Sequence, residues 1–202
     1  ANAAHELRTP LAVIQTNLEV FARRETPALK DYQEIFSMLQ EQTGRLSHLA
    51  EILLDMTGVQ TVERSERISL AALTDEVFCD LASVAEQKEV ELIQQEGDCI
   101  ITGSYLLLYR AVYNLVENAI KYNHSGGKVT VNIHLSEEIT DTSTSDNYAF
   151  LEVSDTGIGI PPEYQEKIFT PFFRVDKSRS RAMGGAGLGL ALVSEIVRQH
   201  NG

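Results

Sequence analysis

The stretch His5-Glu6-Leu7-Arg8-Thr9-Pro10-Leu11, continued by Ile14, Leu18 and Phe21, combines an apolar stripe with a polar face. Leu7, Leu11, Ile14, Leu18 and Phe21 recur at alternating steps of four and three, which predicts a helix over 2–23 with a coiled-coil seam. His5 and Glu6 fall just outside that seam, and Thr9, four residues after His5, shares their face. A titratable nucleophile, a carboxylate and a hydroxyl therefore sit within about one helical turn. The same pattern reads equally as an ordinary polar helix face, and only the rest of the chain decides between the two.

Working outward, Arg23-Arg24-Glu25-Thr26-Pro27 breaks the pattern, and a second helix is expected from about Ala28. In it Tyr32, Ile35, Leu39, Gln42, Leu46, Leu49, Leu53 and Met56 keep the three-four spacing, with Gln42 as a polar interruption. Two such seams make an antiparallel hairpin with too little volume to bury both stripes. A homodimer closing a four-helix bundle solves that problem, and packing on the rest of the chain is the alternative. Residues 57–66 carry no helical apolar face and read as a linker.

Beyond it, strands are expected at Ile68–Leu70, Glu89–Gln94, Cys99–Gly103, Lys128–Leu135 and Tyr148–Ser154. Helices are expected over 71–88, from a cap at Gly103 or Ser104 to about Asn123, after Pro161-Pro162, and from Gly187 to His200. The Ser/Thr/Asp-rich stretch Ser136 to Asn147 reads as surface loop. The fold class is thus α+β: a helical hairpin followed by an α/β sandwich with helices on one face of a mixed sheet.

Composition narrows the function. With 29 acidic against 17 basic residues and a net charge of −12, the chain is a poor ligand for nucleic acid or an anionic membrane surface. Cys79 and Cys99 form no CxxC pair or metal-ligand spacing and read as reduced, buried thiols in a cytosolic setting. No apolar run is long enough to span a bilayer, and the N-terminus lacks the order of a signal peptide. Both ends read as cut.

Four downstream segments carry chemistry. In Asn114 to Asn123, Asn114 and Asn118 share a helix face, with Lys121 and Tyr122 a turn further. An Asn carbonyl is a hard oxygen suited to Mg²⁺, a Lys is a point charge for phosphate, and a polar helix end is the plain alternative. Asp155-Thr156-Gly157-Ile158-Gly159-Ile160 follows a strand. Its carboxylate suits an amino group such as adenine's and its glycines permit close approach of a ligand, while an Asx turn explains it as simply. Phe169-Thr170-Pro171-Phe172-Phe173-Arg174 precedes a run holding Lys177, Arg179 and Arg181, an island of cations with aromatic anchors. Gly184-Gly185-Ala186-Gly187-Leu188-Gly189 leads into the last helix, whose N-terminus favours a phosphate, though the spacing is neither Rossmann nor P-loop and a hinge is the competing reading.

In order, these segments resemble the cytoplasmic core of the sensor histidine kinases of two-component signalling over essentially the whole chain. His5 to Pro10 matches the phosphoacceptor box, Asn114 to Asn123 the N box, Asp155 to Ile160 the first glycine box, Phe169 to Arg174 the F box, and Gly185 to Leu190 the second glycine box. The resemblance implies a dimerisation and histidine-phosphotransfer hairpin at 1–58 and a Bergerat-type catalytic ATP-binding domain at 64–202. It makes Asn118 the Mg²⁺ ligand, with Asn114, Lys121 and Tyr122 on the same wall, Asp155 the adenine acceptor, and Arg174 the F-box arginine near the phosphates. Gly157, Gly159, Gly185, Gly187 and Gly189 line the pocket, and residues 170–186 correspond to a mobile lid in which Lys177, Arg179 and Arg181 are helpers. Two departures stand out: Ala186 occupies a position where the family often has Thr, and the family's domain normally continues into two further strands after the last helix.

The implied reaction is attack of neutral His5 on the γ-phosphoryl of Mg·ATP, then transfer to an aspartate of a response-regulator receiver domain. An ordinary imidazole, with a pKa of roughly 6.5, is mostly neutral at pH 7. Glu6 is the proton partner, and Glu6-Leu7-Arg8-Thr9 fits the family's phosphatase pattern, with Thr9 orienting a water. The 57–66 linker is the expected hinge, and Pro10, lacking an N–H, is expected to soften the helix there. Membrane attachment is expected only through segments outside the chain. The rivals are a catalytically weak pseudokinase or phosphatase scaffold, and an ATPase of the gyrase or chaperone kind, which has a Glu where this chain has Asn114.

Overall fold

The computed structural model describes residues 2–58, 63–137, 147–175 and 187–202, with backbone alone at 2–6, 45, 48, 49, 51–58, 136, 137 and 147. The expected first helix is α1, Asn2–Ala22, unbroken across a buried Pro10. After a short loop, α2 runs Leu29–Gly58, so Thr57 and Gly58 belong to the helix and not to the linker. The hairpin turn is held by an Arg24–Asp31 ion pair, by Asp31 Oδ2 accepting the Ala28 N–H, and by an edge contact between Phe21 and Tyr32 at 5.1 Å. Along the seams Leu11 and Leu18 stay exposed, and so does Phe36 beside them.

The second part runs β1 (Glu66–Ser69), α3 (Leu70–Gln87), β2 (Glu91–Gln94), β3 (Ile100–Gly103), α4 (Tyr105–Lys121), β4 (Lys128–Glu137), β5 (Asn147–Asp155), a 3-10 turn (Pro162–Tyr164) and α5 (Gly189–Gln199). Where the sequence suggests one mixed sheet, the strands form two: β1 with β3, antiparallel, and β2-β4-β5, in which β2 runs parallel and β5 antiparallel to β4. Leu70 leaves β1 directly into α3, whose first turn is capped by Ser69 and by Asp98, which accepts both the Ser69 hydroxyl and the Ala71 N–H. Those bonds hold the Asp98 carboxyl below its ordinary pKa, the Ala71 N–H contributing most. The strand expected from Glu89 starts two residues later, at Glu91, because Glu89 turns with φ +55°.

The main core lies between the sheets and the inner faces of α3 and α4. Leu73, Val77 and Leu81 of α3 interdigitate with Val112, Val116 and Ile120 of α4 and with Val129 and Val131 of β4. Each such aliphatic side chain contributes roughly 1.5–3 kcal/mol of burial. Cys99 sits in this core, but Cys79 is exposed, which corrects the reading of both thiols as buried. A second core joins α4 to α5 through Leu107, Ala111, Leu188, Leu192, Val193 and Ile196, and Leu7 of α1 packs against it. The hairpin's second helix also contacts α5.

Ser104 stands at the N-cap of α4, as expected, but its side chain makes no cap bond. The cap comes from afar: His200 Nε2 accepts the Ser104 N–H at 3.1 Å and Glu66 accepts the Tyr105 N–H at 3.2 Å. Gly103 makes room, since a Cβ there would lie 2.7 Å from the His200 ring. Among the described residues, no helix is long and apolar enough to cross a membrane.

On the outer face, the Tyr105 and Tyr109 hydroxyls of α4 donate to Glu76 and Asp80 of α3. The bond to Glu76 exists only for the protonated phenol, and it is the main reason the Tyr105 pKa is pushed up from 10.0 to about 12. A phenol whose pKa is raised on folding contributes stability that is complete below its unfolded value and lost as pH rises through the folded one. Tyr105→Phe is therefore expected to flatten the alkaline limb of the stability curve between pH 10 and about 12. Alkaline unfolding followed by circular dichroism checks this, and superimposable curves would remove Tyr105 from the explanation.

Candidate nucleotide site

Helix α4 spaces Asn114, Asn118 and Lys121 along its length, and Tyr122 ends it. Both Asn residues are half-buried. Asn114 Nδ2 donates to the Arg110 carbonyl at 2.8 Å. Its Oδ1 meets the start of α5, where a Cβ on Gly189 would lie only 2.5 Å away. The N box and the second glycine box thus touch because one residue has no side chain. At the other end Lys88, the C-cap of α3, donates its ammonium to the Lys121 carbonyl, and desolvation lowers its pKa. The Lys121 ammonium lies 6.0 Å from the centre of the Tyr122 ring, the outer reach of a cation–π contact.

The first glycine box meets the same helix end. Asp155 closes β5 and is exposed. Its Oδ1 accepts the Gly157 N–H at 2.8 Å, so the Asx turn is real and occupies one of its two oxygens. A Cβ on Gly157 would lie 2.5 Å from the Tyr122 carbonyl and 3.0 Å from Asn123 Cα. The close approach anticipated here is therefore to the last turn of α4, within the protein. Gly159 is the residue that supplies the turn, with φ +69° and open space around it.

The F box meets the second glycine box. The Phe172 N–H donates to the Gly187 carbonyl at 2.7 Å. Gly187 has φ +71°, and a Cβ there would lie 2.6 Å from the Phe173 carbonyl and 3.1 Å from Arg174 Cγ. Phe172 itself has φ +66°, a conformation unusual for an aromatic residue, and its ring packs into the α4–α5 core beside Leu7 and Leu115. Phe173 packs on Tyr164 with ring centres 5.7 Å apart, and Arg174 is half-buried.

Three contacts therefore link the four boxes in series: Phe172 to Gly187, Gly189 to Asn114, and Tyr122 to Gly157. Of the sequence-derived site residues, Asn114, Asn118, Lys121, Tyr122, Asp155, Gly157, Gly159, Arg174, Gly187 and Gly189 belong to the linked segments. Gly185, Ala186, Lys177, Arg179 and Arg181 lie outside the described residues. His5 and Glu6 occupy the opening turns of α1, and Thr9 is exposed one turn on. Leu7, two positions after His5, packs on the α4–α5 core, against which Phe172 also packs. Its role in the hairpin seam was legible, but this second contact was not.

The donor set fits a nucleotide with a hard divalent cation. The half-buried Asn118 amide has a hard oxygen of the kind Mg²⁺ takes, and the N-terminus of α5 presents backbone N–H groups suited to phosphate.

Comparison with known proteins agrees with this geometry. Residues 1–61 match the His Kinase A (phospho-acceptor) domain, and residues 103–202 match the histidine kinase-, DNA gyrase B-, and HSP90-like ATPase family. The chain belongs to the sensor histidine kinases. It is 36% identical over its whole length to sensor histidine kinase RppB of Synechocystis sp. and 33% identical to sensor histidine kinase WalK of Bacillus subtilis. It spans 44% and 33% of those two proteins, less than half of either. Among solved structures, the Acinetobacter baumannii histidine kinase AdeS superposes with a TM-score of 0.69 at 25% identity, over 96% of this chain and 86% of that one.

Two glycine substitutions separate pocket from fold. Gly189→Ala meets only the movable tip of Asn114, so the chain should fold while the Asn114 amide is displaced, and nucleotide affinity should fall by about tenfold or more, ~1.4 kcal/mol. Gly187→Ala meets backbone at a left-handed φ and should cost stability itself, on the order of 1–3 kcal/mol. Calorimetric titration with ATP and thermal melts of both variants check this, and a Gly189→Ala protein that binds normally would contradict it.

Proposed function

We propose that residues 1–58 are the dimerisation and phosphotransfer hairpin and residues 64–202 the catalytic domain of an ATP-dependent protein-histidine kinase. The observation that supports this reading is the linkage of the four boxes along α4, with Leu7, two residues after His5, packed on the α4–α5 core. In the proposed reaction a neutral His5 ring nitrogen attacks the γ-phosphoryl group. A P–N bond forms, the P–O bond to ADP breaks, and Glu6 holds or takes the proton on the other ring nitrogen. Asn118 would hold Mg²⁺, which when bound neutralises phosphate charge. Asp155 accepts from the adenine amino group, Arg174 and the α5 N-terminus face the phosphates, and Asn114, Lys121 and Tyr122 complete the wall.

The phosphoryl group would then pass to an aspartate of a response-regulator receiver domain. Exposed Thr9, three residues after Glu6, supports a second activity in which its hydroxyl orients water to dephosphorylate that partner. Dimerisation through the hairpin is supported by the exposed Leu11, Leu18 and Phe36, at 48%, 42% and 63% of their surface, since a monomer leaves this seam in water. The chain is read as the cytoplasmic part of a sensor anchored through segments outside it. A gyrase- or chaperone-type ATPase is disfavoured by Asn114, where that class carries a Glu, and by the helical hairpin.

Incubation with γ-labelled ATP and Mg²⁺ is expected to give acid-labile, alkali-stable label on the protein, abolished in His5→Gln. Release of phosphate with no labelled protein would sink the proposal.

A further inference from the structure

The N box and the first glycine box are joined by a closed polar circuit that neither motif predicts. Asn123, one residue past Tyr122, is only 6% exposed. Its Nδ2 donates to the Lys128 carbonyl at 2.9 Å, and its Oδ1 accepts the His124 N–H at 3.1 Å and the Thr156 hydroxyl at 3.2 Å. The Thr156 oxygen in turn accepts the Lys128 N–H at 2.9 Å, and the Thr156 N–H donates back to the Lys128 carbonyl at 3.1 Å. One amide and one hydroxyl thus tie together the end of α4, the start of β4 and the turn that carries Asp155.

Two glycines clear the space. A Cβ on Gly127 would collide with Asn123 Oδ1, and one on Gly157 would collide with the Tyr122 carbonyl. The chemistry suits both positions: the Asn123 amide donates to Lys128 and accepts from Thr156, and the Thr156 hydroxyl donates to Asn123 and accepts from Lys128.

From this geometry we infer that Asn123 and Thr156 are positioning residues for nucleotide binding. They act through Tyr122 and Asp155, fixing the distance between the wall that carries Asn118 and the carboxylate that receives the base. The inference rests on the nucleotide-site reading above. Asp155 is exposed at the end of an edge strand, and its neighbour Thr156 is the residue whose side chain ties this turn to α4. Loosening the circuit lets the Asp155 turn drift from α4, which weakens ground-state binding and leaves the phosphoryl end near Gly187 and Gly189 intact.

The test compares Thr156→Val, which keeps the shape and removes both hydroxyl bonds, with Thr156→Ser, which keeps the hydroxyl. Calorimetric titration with a non-hydrolysable ATP analogue and Mg²⁺ should show about tenfold weaker binding for Thr156→Val and binding within about twofold of the parent for Thr156→Ser. In labelling assays the KM for ATP should rise by the same factor, with kcat at saturating ATP changed less than about twofold. Asn123→Ala combined with Thr156→Val should bind no more weakly than the worse single variant, because one circuit is broken once.

If Thr156→Val does not fold, hydrogen exchange of the unmutated chain decides. Because the coupling is reciprocal, nucleotide should slow exchange of the Lys128 and His124 amides and of the Ile158 amide, which donates to the Tyr122 carbonyl at 3.1 Å. Equal binding by the Val and Ser variants, or exchange at these amides unaffected by a nucleotide that binds, would overturn the inference and leave the kinase reading standing. An unmutated chain that binds no nucleotide would overturn the kinase reading and this inference with it.

Discussion

Burial of α4 on two faces is the constraint on which the rest of the structure depends. Leu108, Val112, Val116, Ala119 and Ile120 face the main core, whereas Leu107 and Ala111, with half-buried Leu115, face α5 and the second core. A helix gripped on two sides cannot rotate or slide without opening one core, at a cost of several buried aliphatic side chains of roughly 1.5–3 kcal/mol each. What remains is a polar strip holding Asn114, Asn118 and Lys121. That strip is the reference against which every other site residue is placed.

The glycines then act by what they omit. Gly189 and Gly157 let α5 and the β5 turn approach the two ends of the strip, and Gly187 lets the F box fold back against the start of α5. Each contact joins one box to another, so the motifs are steric partners before they are ligand contacts. The same surface joins the two halves of the chain. Leu7 packs against the core formed by Leu107, Leu188 and Leu192, and α2 also contacts α5.

Much of this was legible in the sequence because it is periodic or local. The seam of α1 and the amphipathic faces of α3 and α4 follow from spacing, and the glycine and asparagine segments, ambiguous one by one, pointed to the family through their order. What was not legible depends on partners far apart in the chain. His200 caps α4 across 96 residues, where Ser104 looked sufficient by itself. Leu70 starts a helix instead of ending a strand, and the first turn of that helix is capped by Asp98 from 27 residues away. Gly157 looked like a ligand contact because its true neighbour, the Tyr122 carbonyl, is adjacent only in three dimensions. The positive φ of Phe172 has no signature in composition at all.

A crystal structure of the chain with Mg²⁺ and a non-hydrolysable ATP analogue tests the central claim, that four separate segments form one nucleotide pocket around α4. The expected result has adenine against Asp155, the metal on the Asn118 oxygen, and the phosphates between Arg174 and the turn at Gly187 to Gly189. A nucleotide bound elsewhere, or bound here with Asn118 away from the metal and Asp155 away from the base, would contradict it.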